Sequence, residues 1–308
     1  MSMPPKLRAQ VRPRTDLRAG AHLIGYEERV IPIPKLALRQ RLSLMAIRGG
    51  LASLDAVSKR AAARAAGQLF LRPPPAPFSR NLAGEGHRVE LSTPGGRALA
   101  WRYGSGPAVY LLHGWGGRGF QLSGFVAPLL AAGRTAVLLD APGHGEAGRG
   151  KSSVVAFAQA LRAATEHFGP ASGVVAHSLG AMCVIICLAE GLPIQRVAFL
   201  APGSSLEAAS KRFAQMVGLR SETMQVLKEQ MESRFGKRWD HYELQRLQLK
   251  VPLWVTHDQL DEEVPIDETH ALIRHWAGAR LEVTQGLGHY RVLRNPEVVS
   301  GAVKFLTA

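Results

Sequence analysis

Six short, largely apolar runs constrain this chain more than any other feature. They are Ala108-Val109-Tyr110-Leu111-Leu112, Thr135-Ala136-Val137-Leu138-Leu139, Gly173-Val174-Val175-Ala176, Val197-Ala198-Phe199-Leu200, Leu253-Trp254-Val255-Thr256 and Leu281-Glu282-Val283-Thr284. Runs this short and apolar read as strands buried on both faces. Helical patterns lie between or after them, over Val154 to His167, Gly180 to Glu190, Glu268 to Trp276 and Pro296 to Leu306. Asn295 ahead of Pro296 suits a helix start, with Asn as the cap and Pro in the first turn. Upstream, Arg88 to Leu91 and Arg97 to Tyr103 flank Thr93-Pro94-Gly95-Gly96, a hairpin signal. Alternating strands and helices predict an α/β fold, a mostly parallel sheet with helices on both faces. Such sheets gather their chemistry at the carboxyl ends of the strands.

Four groups of residues stand at those ends. Ala176-His177-Ser178-Leu179-Gly180 joins a strand to a small-residue helix. A Ser at so sharp a turn is lifted above the sheet, although Ser is also a common helix cap. His113-Gly114-Trp115-Gly116-Gly117 follows the first buried run. It lacks the Gly-Lys-Ser/Thr ending of a phosphate loop and the spacing of a dinucleotide fingerprint. Its backbone N–H groups are free to face a reacting oxygen, and Trp115 and Leu179 supply the natural pair of donors. His257 to Pro265 brings carboxylates, and Gly286-Leu287-Gly288-His289-Tyr290 brings a histidine. The chain order is therefore Ser178, Asp261, His289, one of the three common orders of a Ser–His–Asp set.

With these residues in place, the stretch from about 85 to 308 resembles the α/β-hydrolase superfamily, and within it the bacterial serine esterases and lipases. Asp140-Ala141-Pro142-Gly143-His144-Gly145 fits a loop found often in that family. The departures are Ala176 at the first Gly of the G-x-S-x-G pattern and Asp258 where the family usually has Gly. The second departure leaves Asp258 as a rival or assistant to Asp261. The resemblance implies Ser178 as nucleophile, His289 as general base and Asp261 as its orienting acid. The oxyanion would be held by the N–H groups of Trp115 and Leu179, in two-step cleavage of a small-molecule carboxylic ester. Thioesterase, amidase or carbon–carbon bond cleavage by the same residues is the sibling reading, and a non-catalytic binding protein of this fold the alternative. No cofactor is implied. No metal is expected either, since neither His-x-x-x-His nor Cys-x-x-Cys spacing supports the His257 carboxylate cluster as a site.

Residues 206–250 form a helical insertion before the acid strand, either a cap over the site or ordinary helix packing. As a cap, Met216, Met224 and Trp239, together with Trp115, would wall an acyl pocket. Of the other histidines, His177, His113 and His144 read as structural or loop-shaping. Cys183 and Cys187, four apart on one helix, read as buried apolar residues, and two cysteines cannot make a disulfide scaffold.

Charge enters at the N-terminus. The chain carries 38 Lys and Arg against 24 Asp and Glu. Residues 1–80 hold 15 of the cations and 4 of the acids, so the excess belongs to a basic N-terminal helical extension ahead of the hydrolase-like part at 81–308. It opens as a Pro- and Arg-rich arm and becomes helical from Leu36. It is expected to break at Gly49-Gly50 and to exit through Arg72-Pro73-Pro74-Pro75. One reading is a helix pair packed on the main domain with its basic face in water; another is peripheral contact with a membrane or partner. Nucleic acid is not expected, as no recognition motif accompanies the charge. No apolar run suits a membrane span or a secretory leader, so a cytoplasmic location is expected.

Overall fold

The computed structural model describes residues 38–74 and 86–308. The expected basic arm, and the Pro-rich exit beyond Pro74, lie outside the described residues. Eight strands form one sheet: β1 (His87–Thr93), β2 (Gly96–Tyr103), β3 (Ala108–Leu112), β4 (Thr135–Asp140), β5 (Ala171–His177), β6 (Val197–Leu200), β7 (Leu253–Asp258) and β8 (Arg280–Thr284). The order across the sheet is β1-β2-β4-β3-β5-β6-β7-β8. The β1–β2 and β2–β4 pairings are antiparallel and all the others parallel. Every residue of β3, β4, β5, β6 and β7 is buried, as two-sided cover requires.

The helices are α1 (Leu38–Val57), α2 (Lys59–Phe70), α3 (Val126–Ala131), α4 (Val154–Phe168), α5 (Leu179–Ala189), α6 (Leu206–Val217), α7 (Ser221–Phe235), α8 (Ile266–Arg274), α9 (Gly288–Arg291) and α10 (Pro296–Thr307). One core, with Phe157, Leu161, Met182 and Ile185, lies on the α4–α5 side of the sheet. A second, with Leu122, Phe125, Val299 and Leu306, lies on the α3–α10 side. Cys183 and Cys187 sit in the first core, their thiols donating to the Leu179 and Ala158 carbonyls. The Asn295 side chain accepts from the Glu297 and Val298 N–H groups and caps α10.

Two expectations are corrected. Gly49-Gly50 does not break the N-terminal helix, and α1 runs through both. A glycine inside a helix costs only about 1 kcal/mol. The break falls at Ser58, whose hydroxyl accepts from the Ala61 N–H and starts α2. The acid strand does not end at Thr256 either. Pairing with β8 continues through Asp258 opposite Thr284, so His257 and Asp258 belong to β7.

The N-terminal helices join the insertion between β6 and β7. Leu51, Ala63 and Ala66 share a third core with Val217, Leu227 and Met231 of α6 and α7. Gly67 of α2 faces Met231 and Leu227 so closely that a Cβ there would lie 2.9 and 3.0 Å from their side chains. Asp55 is buried in this seam, where Arg220 and the Thr223 hydroxyl both donate to its carboxylate. Arg48 donates to the carbonyls of Gln215 and Met216 at the end of α6.

Candidate active site

The site begins at the turn from β5 into α5. Ser178 takes φ 52° and ψ −124°, a conformation that non-glycine residues rarely adopt. The turn is closed from both sides. The Ser178 N–H donates to the Leu200 carbonyl, and the Ser178 carbonyl accepts from Ala181 and Gly203. Gly180 permits the approach of α5 to β3, since a Cβ there would lie 2.8 Å from the His113 oxygen and 3.1 Å from the Leu112 oxygen. Ala176, where the family pattern has Gly, is fully buried without disturbing the turn. Gly114 lies against the serine: a Cβ on it would be 2.8 Å from Ser178 Cβ. Among the described residues, neither the Trp115 nor the Leu179 N–H has a hydrogen-bond acceptor.

His289 stands on α9, just beyond β8. Its Nδ1 is 2.7 Å from Asp261 Oδ2. The other oxygen of Asp261 accepts from the Glu263 and Val264 N–H groups at 2.8 and 3.0 Å. Burial alone would raise the Asp261 pKa, but contacts from His257 and His289 outweigh it and hold the carboxyl below the usual range. Asp258 takes different partners. Its carboxylate accepts from the Leu260, Gly286 and Leu287 N–H groups and from the Thr284 hydroxyl, so it ties the His289 loop to β7.

Two further residues stand beside this arrangement. His257 is fully buried, and its Nε2 lies 2.9 Å from the Val264 carbonyl and 3.4 Å from Asp261 Oδ2. The carbonyl needs a donor, so Nε2 carries the proton and Nδ1 accepts from the Thr269 hydroxyl at 2.6 Å. Glu263 lies 3.9 Å from His289 Nε2 and accepts from the Tyr290 hydroxyl. His177 lies beside both loops, its Nε2 2.9 Å from the His289 carbonyl.

Under the Trp115 loop, Asp140 accepts from the Gly119 and Glu146 N–H groups, both at 2.6 Å. His113 Nε2 accepts from the Ala141 N–H, and His144 Nδ1 donates to the Pro142 carbonyl. Burial lowers His144 to about 4 and His177 to about 3, holds His113 well below its ordinary value, and raises Asp140 to about 6. The histidines stay neutral in the fold but take protons near pH 6.5 once unfolded. Each therefore removes about 1.4 kcal/mol of stability per pH unit below 6.5. Asp140 acts in the opposite sense between pH 6 and 4, where the folded state binds the extra proton. Three against one predicts a denaturation midpoint that falls clearly from pH 7 to pH 5. A flat profile over that window, followed by urea unfolding, would contradict it.

Ser178 and His289 open into one cavity of about 1620 Å³. Trp115, Met216 and Trp239 line it, with Phe213, Met231 and Phe235. Met224 does not line it and packs in the third core instead. Met224 and Met231 share one face of α7, but seven residues set them about 10 Å apart along it, so only Met231 reaches the cavity. The other wall was not foreseen: Leu69, Phe70 and Leu71, at the end of α2, also line it.

A family model described as the alpha/beta hydrolase fold matches residues 107–279, more than half of the chain. The chain belongs to the α/β-hydrolase family. The matched stretch of this α/β-hydrolase holds Ser178 and Asp261 but ends ahead of His289. An esterase from Pyrococcus furiosus superposes with a TM-score of 0.58 at 19% identity, covering 77% of this chain and 96% of its own. An esterase from Exiguobacterium antarcticum gives 0.54 at 14%, covering 71% and 99%. A thermophilic esterase from Thermogutta terrifontis gives 0.53 at 19%, covering 71% and 97%. At these identities the likeness speaks for the fold. No curated protein matches the α/β-hydrolase in sequence.

Proposed function

We propose that this α/β-hydrolase cleaves carboxylic esters through an acyl-enzyme formed on Ser178. The observations that carry the reading are the 2.7 Å contact between His289 and Asp261 and a serine at positive φ that lines the same apolar cavity as His289. In the first step Ser178 Oγ attacks the ester carbonyl while His289 Nε2 takes its proton, and that proton then goes to the leaving alkoxide. Asp261 keeps the Nδ1–H tautomer and stabilises the imidazolium. The Trp115 and Leu179 N–H groups receive the oxyanion; one such donor is worth about 2.7–4 kcal/mol. In the second step water, deprotonated by His289, releases the acid and restores Ser178.

A fluorophosphonate probe tests this directly. One adduct per chain on Ser178 is expected, and no adduct under conditions where the protein is folded would refute the reading. The wall of Phe213, Met216, Met231, Phe235 and Trp239 supports an acyl side that takes apolar chains. Along a series of p-nitrophenyl esters, kcat/KM is expected to rise from acetate into the medium chains, by about 3-fold or more per added methylene while the chain stays in contact. Charged acyl groups are expected to be poor substrates. A flat series would remove the acyl role from this wall.

A further inference from the structure

The third core uses only one side of α1. Ile47, Leu51 and Asp55 pack toward the third core and its Arg220 and Thr223 partners, whereas Leu38, Leu42 and Met45 point outward and are 72, 57 and 66% exposed. At about 100° per residue, these three fall within about 60° of one another around the helix. Gly49, Ala52 and Ala56 continue the same strip, and all are exposed. Arg39 lies on one flank of the strip and Arg41 on the other. The helix is therefore apolar on two opposite sides, one packed in the third core and one left exposed between arginines.

Charge indicates what would cover the strip. Residues 38–74 hold seven cations and a single acid, Asp55, which is already engaged by Arg220 and Thr223. Arg39, Arg41, Lys59, Arg60 and Arg64 are all exposed. An apolar strip between cations fits a surface that is apolar inside and anionic at its face. The strip also leads to the cavity: Arg48, one turn beyond Met45, holds the carbonyl of Met216, a half-exposed residue of the cavity wall.

We propose that the outer face of α1 docks on anionic lipid bilayers, Leu38, Leu42 and Met45 entering the headgroup boundary and the flanking arginines meeting lipid phosphates. The docking does not depend on the ester-hydrolase reading, because it is measured without turnover. The full chain is sedimented with vesicles of phosphatidylcholine alone and of phosphatidylcholine with 30% phosphatidylglycerol, in low and high salt, beside the Leu42→Asp/Met45→Asp double variant. Both positions are exposed, so the variant is expected to fold; circular dichroism and its turnover of a soluble short-chain ester verify that. Binding to the anionic vesicles, weakened by salt and lost by about 10-fold or more in the variant, supports the proposal. Equal binding of the variant overturns it, since the charge would then act without this strip. Binding that ignores phosphatidylglycerol, or none, also overturns it. So does a dimer, in sedimentation velocity without vesicles, that the variant dissolves: the strip would then be covered by a second copy.

Discussion

Ser178→Ala is expected to lower kcat/KM for a medium-chain ester by about 10,000-fold or more while leaving the fold intact. The side chain makes no helix-capping hydrogen bond. Alanine meets the same positive φ as serine, so the backbone strain barely changes. What disappears is the hydroxyl on which the proposed acyl-enzyme forms. The activity left would come from the free N–H groups and the cavity positioning water, which suffice for a modest acceleration. Burst kinetics should vanish along with the fluorophosphonate adduct. Retention of more than about a hundredth of wild-type kcat/KM by a folded variant would mean that another nucleophile, or water, carries the reaction.

The second large effect separates two aspartates three residues apart. Asp261→Asn keeps the Oδ1 that accepts from Glu263 and Val264, so the loop should hold. It turns the other oxygen into an amide that faces His289 Nδ1 and favours the wrong tautomer. A fall in kcat of about 1,000- to 10,000-fold with little change in melting is expected. Asp258→Asn should do the reverse. That carboxylate accepts from four donors and ties Gly286 and Leu287 to the sheet. An amide cannot accept from all of them, and each unsatisfied donor costs about 1–3 kcal/mol. Lower stability is expected, with kcat reduced far less in the fraction that remains folded. If Asp258→Asn proved the more damaging to kcat in folded protein, the acid role would move to Asp258.

The two cases also show where reading the sequence stops. Runs such as Ala108 to Leu112 announce parallel strands because both faces must be apolar, and motif order then places Ser178, Asp261 and His289 at strand ends. Two carboxylates in one loop look alike on paper. Their difference comes from one extra β-pairing, Asp258 opposite Thr284, which commits Asp258 to the sheet and leaves Asp261 to turn toward His289. Met224 and Met231 have the same helical phase, and periodicity reports a face but not a distance along it. His257 looked like a spare ligand among acids because nothing local says that it touches Thr269, Val264 and Asp261 at once. Leu69 and Phe70 fell outside every motif, and only the packing of α2 on α7 brings them to the cavity.

That packing joins chain segments made far apart in time. Asp55 meets Arg220 across 165 residues, so the first helices emerge from the ribosome long before their seat exists. At about 5–20 residues per second, the wait is roughly 10–30 s. Through that interval Leu51, Ala63 and Ala66 lack the part of their cover that α6 and α7 supply, and closing so long a loop makes this seam a late, non-local step of folding. Expression trouble in seam variants should therefore trace to nascent chains caught before residue 235 is made, and slower translation after residue 70 should aggravate it.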